Sequence, residues 1–255
     1  MSVDRPSVLV TGGAKRVGAA ISRTFAAAGW HVVIHYNTSA DEAQALAVSF
    51  DSAETCQADL CDLSSIEAMV DTLAARLRDW RALLNCAAVF KPDEVTALDP
   101  QTYERAMQVN ACAPACLAQA YLRQATSLTG RHVIQITDQK LANPNPDFFS
   151  YTMSKHALDA TIPMLAMGAA GQGDKVYGLA PGAILPSHDQ TEEEAEISHR
   201  MNLLGRRTTA NEVAEAALFL AGGHLESGRT LYVDSGQHLL RQDRDVIYLA
   251  REATA

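Results

Sequence analysis

The sequence has no CxxC pair and an odd number of cysteines, five in all. Cys112 and Cys116 share a helical face, yet two thiols without a further His or Cys partner do not make a zinc site. They read as core-filling thiols of a reducing cytosol, so no metal is expected and the expected location is cytoplasmic. Basic residues are in deficit: 21 Lys and Arg face 30 Asp and Glu, a net charge of −9. That balance argues against nucleic acid as the main partner. Long apolar runs are missing as well. The most apolar stretch, near residues 160–170, contains Pro163. It is too short to cross a bilayer, so no membrane partner is expected. No basic segment followed by an apolar one opens the chain, and no signal peptide is expected. Repeats, low-complexity tracts and interdomain linkers are also missing.

What remains is an alternation of short apolar runs and amphipathic segments. The runs predict strands near residues 7–10, 30–35, 54–57, 82–85, 131–137, 175–180 and 230–233. The amphipathic segments predict helices near 16–28, 41–50, 63–77, 99–109, 111–126, 151–170 and 211–221. The runs lack strict alternation, as in parallel strands buried on both faces. The expected fold class is α/β: a Rossmann-type doubly wound parallel sheet of about seven strands flanked by helices, with ligands at the carboxyl ends of the strands. A chain of 255 residues is ordinary for one such domain, assigned to residues 1–255. Pro163 falls inside the helix expected from Tyr151. An interior proline costs roughly 3 kcal/mol, so a bend or early break is expected there.

Two motifs carry chemistry. Tyr151 and Lys155 stand one helical turn apart on the same face. A free tyrosine keeps its proton up to a pKa of roughly 10. A nearby ammonium is expected to lower that value and make the phenol a proton donor to a carbonyl or imine accepting a hydride. At the other end of the chain, the run Thr11-Gly12-Gly13-Ala14-Lys15-Arg16-Val17-Gly18 separates a strand from a helix. Glycines there let the backbone approach a pyrophosphate, and the free amides of the helix start face the anion. The run does not fit GxGxxG; it reads TGxxxRxG.

Together with four further features, these residues resemble the short-chain dehydrogenase/reductase family over nearly the whole chain. Asn85-Cys86-Ala87-Ala88 stands where the family carries NNAG, and Asn110 where it has its structural and catalytic asparagine. Pro181-Gly182 matches its PG motif, and residues 230–236 its last strand. The resemblance implies a nicotinamide cofactor and a homotetramer built on the two long helices after Asp99 and Tyr151. It also implies a substrate lid at about 184–205, where residues 191–200 are acidic and helical in pattern. The tail at 237–255, with Arg241, Arg244 and Asp245, either covers a neighbouring subunit's pocket or is solvated.

The choice of cofactor turns on the ribose 2′ position. NAD sites place a carboxylate at the end of the second strand. Here that strand ends Tyr36-Asn37-Thr38-Ser39, with no carboxylate, and Lys15 and Arg16 are available for a phosphate. NADPH is therefore expected. The cofactor contacts implied are Gly12, Lys15, Arg16, Val17, Tyr36, Asn37, Thr38, Ser39, Asp59, Leu60, Asn85, Ala87, Tyr151, Lys155, Pro181 and Gly182. Asp59 is equally placed to cap the helix that starts near Leu63.

Most members of the family carry a serine thirteen residues before the catalytic tyrosine. Asp138 occupies that position here. Thr137 cannot substitute, because adjacent strand residues point to opposite faces. An ionised carboxylate repels a ketone oxyanion and suits a nitrogen heterocycle. Asp138, the arginine in the glycine-rich turn, His35-Tyr36 and Phe90 together resemble the pteridine reductase branch, which includes dihydromonapterin reductases. Cys86 and Ala88 depart from that pattern.

The resemblance implies hydride transfer from NADPH to a small-molecule dihydropterin of the dihydromonapterin, dihydrobiopterin or dihydrofolate type, within folate metabolism. Asp138, Tyr151, Lys155 and Asn110 are the expected catalytic residues, with Asn110 holding a water. Arg16, Phe90, Asp138 and Tyr151 are the expected substrate contacts. Two alternatives stay open: an NADPH-dependent carbonyl reductase acting on a 3-oxoacyl or sugar ketone, and a non-catalytic NADPH-binding scaffold.

Overall fold

The computed structural model describes residues 5–168, 171–187 and 189–254. The expected helix end at 169–170, His188 of the expected lid and the outermost residues of the domain assigned to 1–255 lie outside these. Seven strands form one parallel sheet: β1 (Ser7–Val10), β2 (His31–Tyr36), β3 (Ala53–Gln57), β4 (Trp80–Asn85), β5 (His132–Ile136), β6 (Lys175–Pro181) and β7 (Thr230–Val233). Their order is β3-β2-β1-β4-β5-β6-β7. The strand order reverses between β1 and β4, and the crevice at their carboxyl ends is where such sheets bind ligands.

Nine helices accompany the sheet among the described residues: α1 (Arg16–Ala27), α2 (Ala40–Ala47), α3 (Leu63–Ala74), α4 (Pro100–Met107), α5 (Ala113–Gln124), α6 (Phe149–Gly168), α7 (Glu192–Ser198), α8 (Ala210–Ala221) and α9 (Val246–Thr254). Both sheet faces are buried, and β1 and β5 are accordingly buried at every position. On one face, Ile21 and Phe25 of α1 and Val213 and Leu220 of α8 pack on Val8, Ile34 and Leu84. On the other, Ile66 and Leu73 of α3, Leu117 and Tyr121 of α5 and Ile162 and Leu165 of α6 pack on Leu9, Leu83 and Val133.

Three elements differ from the sequence expectation. The helices expected at 99–109 and 111–126 are joined by a π-turn, Gln108–Cys112, so α4 and α5 form one interrupted rod with Asn110 inside the turn. Such bulges are frequent at functional sites. Helix α6 starts two residues before Tyr151 and runs through Pro163 without a break. Pro163 lies on its exposed side, where water can take the carbonyl the proline leaves unpaired. The tail, expected either to cover a neighbouring subunit's pocket or to be solvated, forms α9, which packs on α7 of its own chain.

The start of α6 sets where Tyr151 sits. Asp93, from the loop after β4, accepts the Ser150 backbone N–H at 3.0 Å and the Ser150 hydroxyl as well. A lost cap of this kind costs about 1–2 kcal/mol. We expect Asp93→Ala to lower the melting temperature by roughly 3–6 °C in a calorimetric scan.

Candidate active site

The glycine-rich turn is built by hydrogen bonds from distant strands. The Thr11 hydroxyl oxygen accepts the backbone N–H of Cys86 at 2.9 Å and of Ala87 at 3.0 Å. This ties the β1 turn to the segment after β4. Gly12 has φ +62°, a conformation that favours glycine, and a Cβ there would lie 3.1 Å from the Ala87 Cα. A Cβ at Gly18 would lie 2.2 Å from the Gly12 carbonyl oxygen. Helix α1 has no side-chain cap and no acidic residue in its first turn. Its first amides therefore face the crevice as an open anion site.

His35 braces this turn from behind. Its Nδ1 accepts the Gly12 N–H at 3.1 Å, and its Nε2 lies 3.1 Å from the Ala58 carbonyl. The first bond requires a bare Nδ1, so Nε2 carries the proton and donates. Burial pushes the imidazole pKa down to about 4.

Lys15 and Arg16 part company. Lys15 pairs with Glu42 of α2 at 2.6 Å, beside the end of β2. Arg16, at φ +53°, turns the other way and donates to the Pro186 carbonyl at 2.8 Å and more weakly to Leu185. The Arg16 guanidinium thus lies at the root of the expected lid, apart from Lys15. Tyr36, Asn37, Thr38 and Ser39 lead from β2 into α2. The Asn37 amide reaches toward Asp59 at 3.5 Å. Asp59 accepts the Cys61 N–H, whereas Asp62 caps α3. That settles which aspartate is the helix cap. Leu60 is buried and Val17 packs at the edge of the core.

Asn85 ends β4, and its side chain is engaged within the fold. Its amide donates to Gln135 at 2.9 Å and to the Pro114 carbonyl at 3.2 Å, so it joins β4 to β5 and α5. Pro181 and Gly182 close β6, and the Gly182 N–H donates to the Val233 carbonyl at 3.1 Å.

The reactive groups converge where α6 crosses the end of β5. The Tyr151 hydroxyl donates to Asp138 Oδ2 at 2.7 Å. Asp138 also accepts the Lys140 N–H at 2.8 Å. The Lys155 ammonium donates to the Ile136 carbonyl at 2.6 Å and lies 5.8 Å from the centre of the Tyr151 ring. Thr137 donates to the Leu179 carbonyl, away from Tyr151. Asn110 clamps Val89 through both its N–H and its carbonyl, at 2.8 and 2.9 Å, and donates to Ser154 at 3.0 Å. Both amide hydrogens of Asn110 are thereby occupied. Its side chain positions the loop and α6. Ser154, which donates to the Tyr151 carbonyl, was not anticipated.

Burial, with the Asp138 charge adding to it, holds the Tyr151 phenol well above the ordinary tyrosine range. The expected lowering by Lys155 is thus reversed in this state. Burial also raises Asp138, against the hydrogen bonds from Lys140 and Tyr151. It lowers Lys155, against the attraction of Asp138. The site keeps the phenol neutral and makes the carboxyl easy to protonate.

Phe90 stands edge-on to Tyr151, centroids 4.7 Å apart, and is stacked on Phe148 at 4.1 Å. One of its faces is therefore already covered. A cavity of about 170 Å³, lined by Val89, Lys91, Thr102, Arg105 and Tyr151 among others, opens beside the phenol.

Comparison with known proteins adds to this geometry. A family model described as enoyl-(acyl carrier protein) reductase, of the short-chain dehydrogenase type, matches residues 12–238. Pteridine reductase 1 of Leishmania tarentolae is 27% identical, covering 92% of this chain and 97% of its own. The structure of FolM alternative dihydrofolate reductase 1 from Brucella canis, complexed with NADP, is 34% identical with a TM-score of 0.86, over 94% of this chain and 96% of that one. The Brucella suis protein, also in complex with NADP, is 34% identical with a TM-score of 0.87, over 95% and 98%.

The buried His35 makes stability pH-dependent. Below the ordinary histidine value near 6.5 the unfolded chain takes up a proton that the folded chain refuses until about pH 4. Stability is therefore lost as pH falls through that window, by about 3 kcal/mol for the full shift. We expect denaturant melts between roughly pH 7 and 4.5 to show His35→Gln losing less stability than the wild type.

Proposed function

Because the chain belongs to the short-chain dehydrogenase/reductase family, we propose that it is an NADPH-dependent oxidoreductase that reduces a 7,8-dihydropterin to its tetrahydro form. The observation that carries the substrate assignment is the hydrogen bond from Tyr151 to Asp138. A carboxyl stands where a ketone reductase of this family uses a neutral hydroxyl. The relatives named for pteridine and dihydrofolate reduction support the same reading.

The residues fit the cofactor. The open start of α1 and the close approach at Gly12 and Gly18 suit a pyrophosphate. The end of β2 carries no carboxylate against a 2′-phosphate, and Lys15 stands nearby. The ammonium of Lys155 has three N–H donors, and its bond to Ile136 uses one. The others suit the ribose hydroxyls.

When bound, a reduced nicotinamide would supply the hydride for C6 of the dihydropterin, and N5 would take a proton as the C6–N5 double bond opens. In the observed state the Tyr151 proton points at Asp138. For Tyr151 to donate toward N5, the hydrogen-bond direction reverses, with a protonated Asp138 donating to the phenol oxygen. The raised Asp138 makes that proton available. Phe90 offers an aromatic surface to the flat ring, and Arg16 lies at the lid side of the same crevice. Asp138, Tyr151 and Lys155 are thus the proposed catalytic residues, with Asn110 in a positioning role. The lid at about 184–205 is assigned to α7 and its flanks. The exposed Met164 and Met167 of α6 and Leu203, Leu204 and Leu239 beside β7 supply apolar surface for the proposed homotetramer.

A second reading also draws on the half-buried Asp138: kept protonated, it would donate to a ketone oxygen. NADPH oxidation measured with dihydromonapterin, dihydrobiopterin, dihydrofolate and a panel of ketones separates the two. We expect dihydropterin turnover, reduced on the order of a hundredfold or more by Tyr151→Phe and by Asp138→Ala. Turnover confined to ketones would overturn the substrate assignment. Calorimetric titration with NADPH tests the cofactor site separately. Gly18→Ala, which drives a methyl into the Gly12 carbonyl, is expected to weaken binding by at least about tenfold.

A further inference from the structure

The last helix of the chain packs against the reactive tyrosine's surroundings. Phe148, Tyr151 and Ile247 form one buried cluster, with Phe90 and Tyr248 against it. Phe148 is the centre of an aromatic ladder. Phe90 stacks on it at 4.1 Å with 19° between the rings, and Tyr248 of α9 stands at 5.9 Å with 29°. Phe148 has φ +54°, a strained conformation for a residue with a side chain, so its neighbours must hold it. Besides Phe90 and Tyr248, the Lys140 ammonium lies 5.4 Å from the centre of its ring, so Tyr248 is the second aromatic rung of the stack.

Charge pairs lock α9 into this position. Arg244 donates to Asp147 at 2.9 Å, and the Asp245 backbone N–H reaches the same carboxylate at 2.7 Å. Lys140 bonds the Asp147 carbonyl at 2.6 Å and pairs with Asp245 at 3.1 Å. Arg244 and Arg251 both lie over the Tyr248 ring, at 4.8 and 5.7 Å from its centre. Arg251 then reaches the lid segment, pairing with Asp189 at 2.8 Å and Glu194 at 3.5 Å. A solvated tail would need none of these bonds.

We propose that Tyr248 is a substrate-positioning residue of its own subunit, setting through Phe148 the plane of the Phe90 ring on which the substrate heterocycle rests. The proposal rests on the dihydropterin reading and deepens it. The C-terminal helix becomes the back wall of the substrate site. Tyr248 acts through Phe148 and Phe90 and touches no reacting atom. A flat substrate feels its loss as weaker binding, whereas the coenzyme, proposed to be gripped at the β1 turn, does not.

The test is a double-mutant cycle on the full-length protein. Tyr248→Ala removes the rung, Tyr248→Phe keeps the ring, and Tyr248→Leu fills the space without a flat face. An aromatic pair contributes about 0.5–1.5 kcal/mol, so we expect the Ala and Leu variants to raise the dihydropterin KM roughly 2–10-fold. The Phe variant should restore it, with the NADPH dissociation constant unchanged throughout. In a Phe90→Ala background, Tyr248→Ala should add nothing further, because the path runs through Phe90. An unchanged KM, an additive effect with Phe90→Ala, or a parallel loss of NADPH binding would each overturn the proposal. A wild type that reduces only ketones overturns the dihydropterin reading instead, and the same cycle run on that ketone still tests Tyr248.

Discussion

A phenol donating to a carboxylate in a crevice largely closed to water is the interaction on which the rest of the site depends. Burial disfavours the charged forms of both groups and of the ammonium behind them. The three respond in opposite senses. Tyrosine holds its proton, aspartate becomes willing to take one, and lysine becomes readier to give one up. Attraction between partners opposes the shifts of Asp138 and Lys155 without cancelling them, whereas the Asp138 charge adds to that of Tyr151.

Such an arrangement works only if distances hold, and the surrounding polar bonds are arranged to hold them. Asp93 caps α6 just before Tyr151, and Ser154 accepts from Asn110 one turn later. Asn110 reaches both α6 and the Val89 backbone because the π-turn places it inside the rod formed by α4 and α5. The Lys155 ammonium is fixed to the end of β5 through Ile136. The loop after β4, the strand β5 and the helix α6 are thereby tied to one another at the point where they meet.

The sheet was legible because its strands are buried on both faces and therefore appear as apolar runs with turns between them. Tyr151, Lys155 and Asp138 were legible because short spacings in one chain region fix relative position. The direction of Arg16 was not, since a positive φ on a non-glycine residue leaves no trace in composition. Nor was the role of the Asn85 amide, whose partners Gln135 and Pro114 come from other elements. The direction of the Tyr151 pKa was misread because spacing reveals the lysine one turn away but not the depth of burial. Helix α9 had a signal, with Val246, Ile247 and Ala250 on one face. The aromatic ladder joining Phe148 to Tyr248 had none, because it links side chains a hundred residues apart.

A single hydroxyl oxygen on Thr11 receives two backbone amides from a segment some 75 residues further along the chain. Neither partner can be supplied locally. The nucleotide-binding turn therefore takes its shape only after the first and fourth strands have come together. Coenzyme affinity is thus a property of the assembled sheet, and a fragment ending before the fourth strand would carry the glycines without the grip.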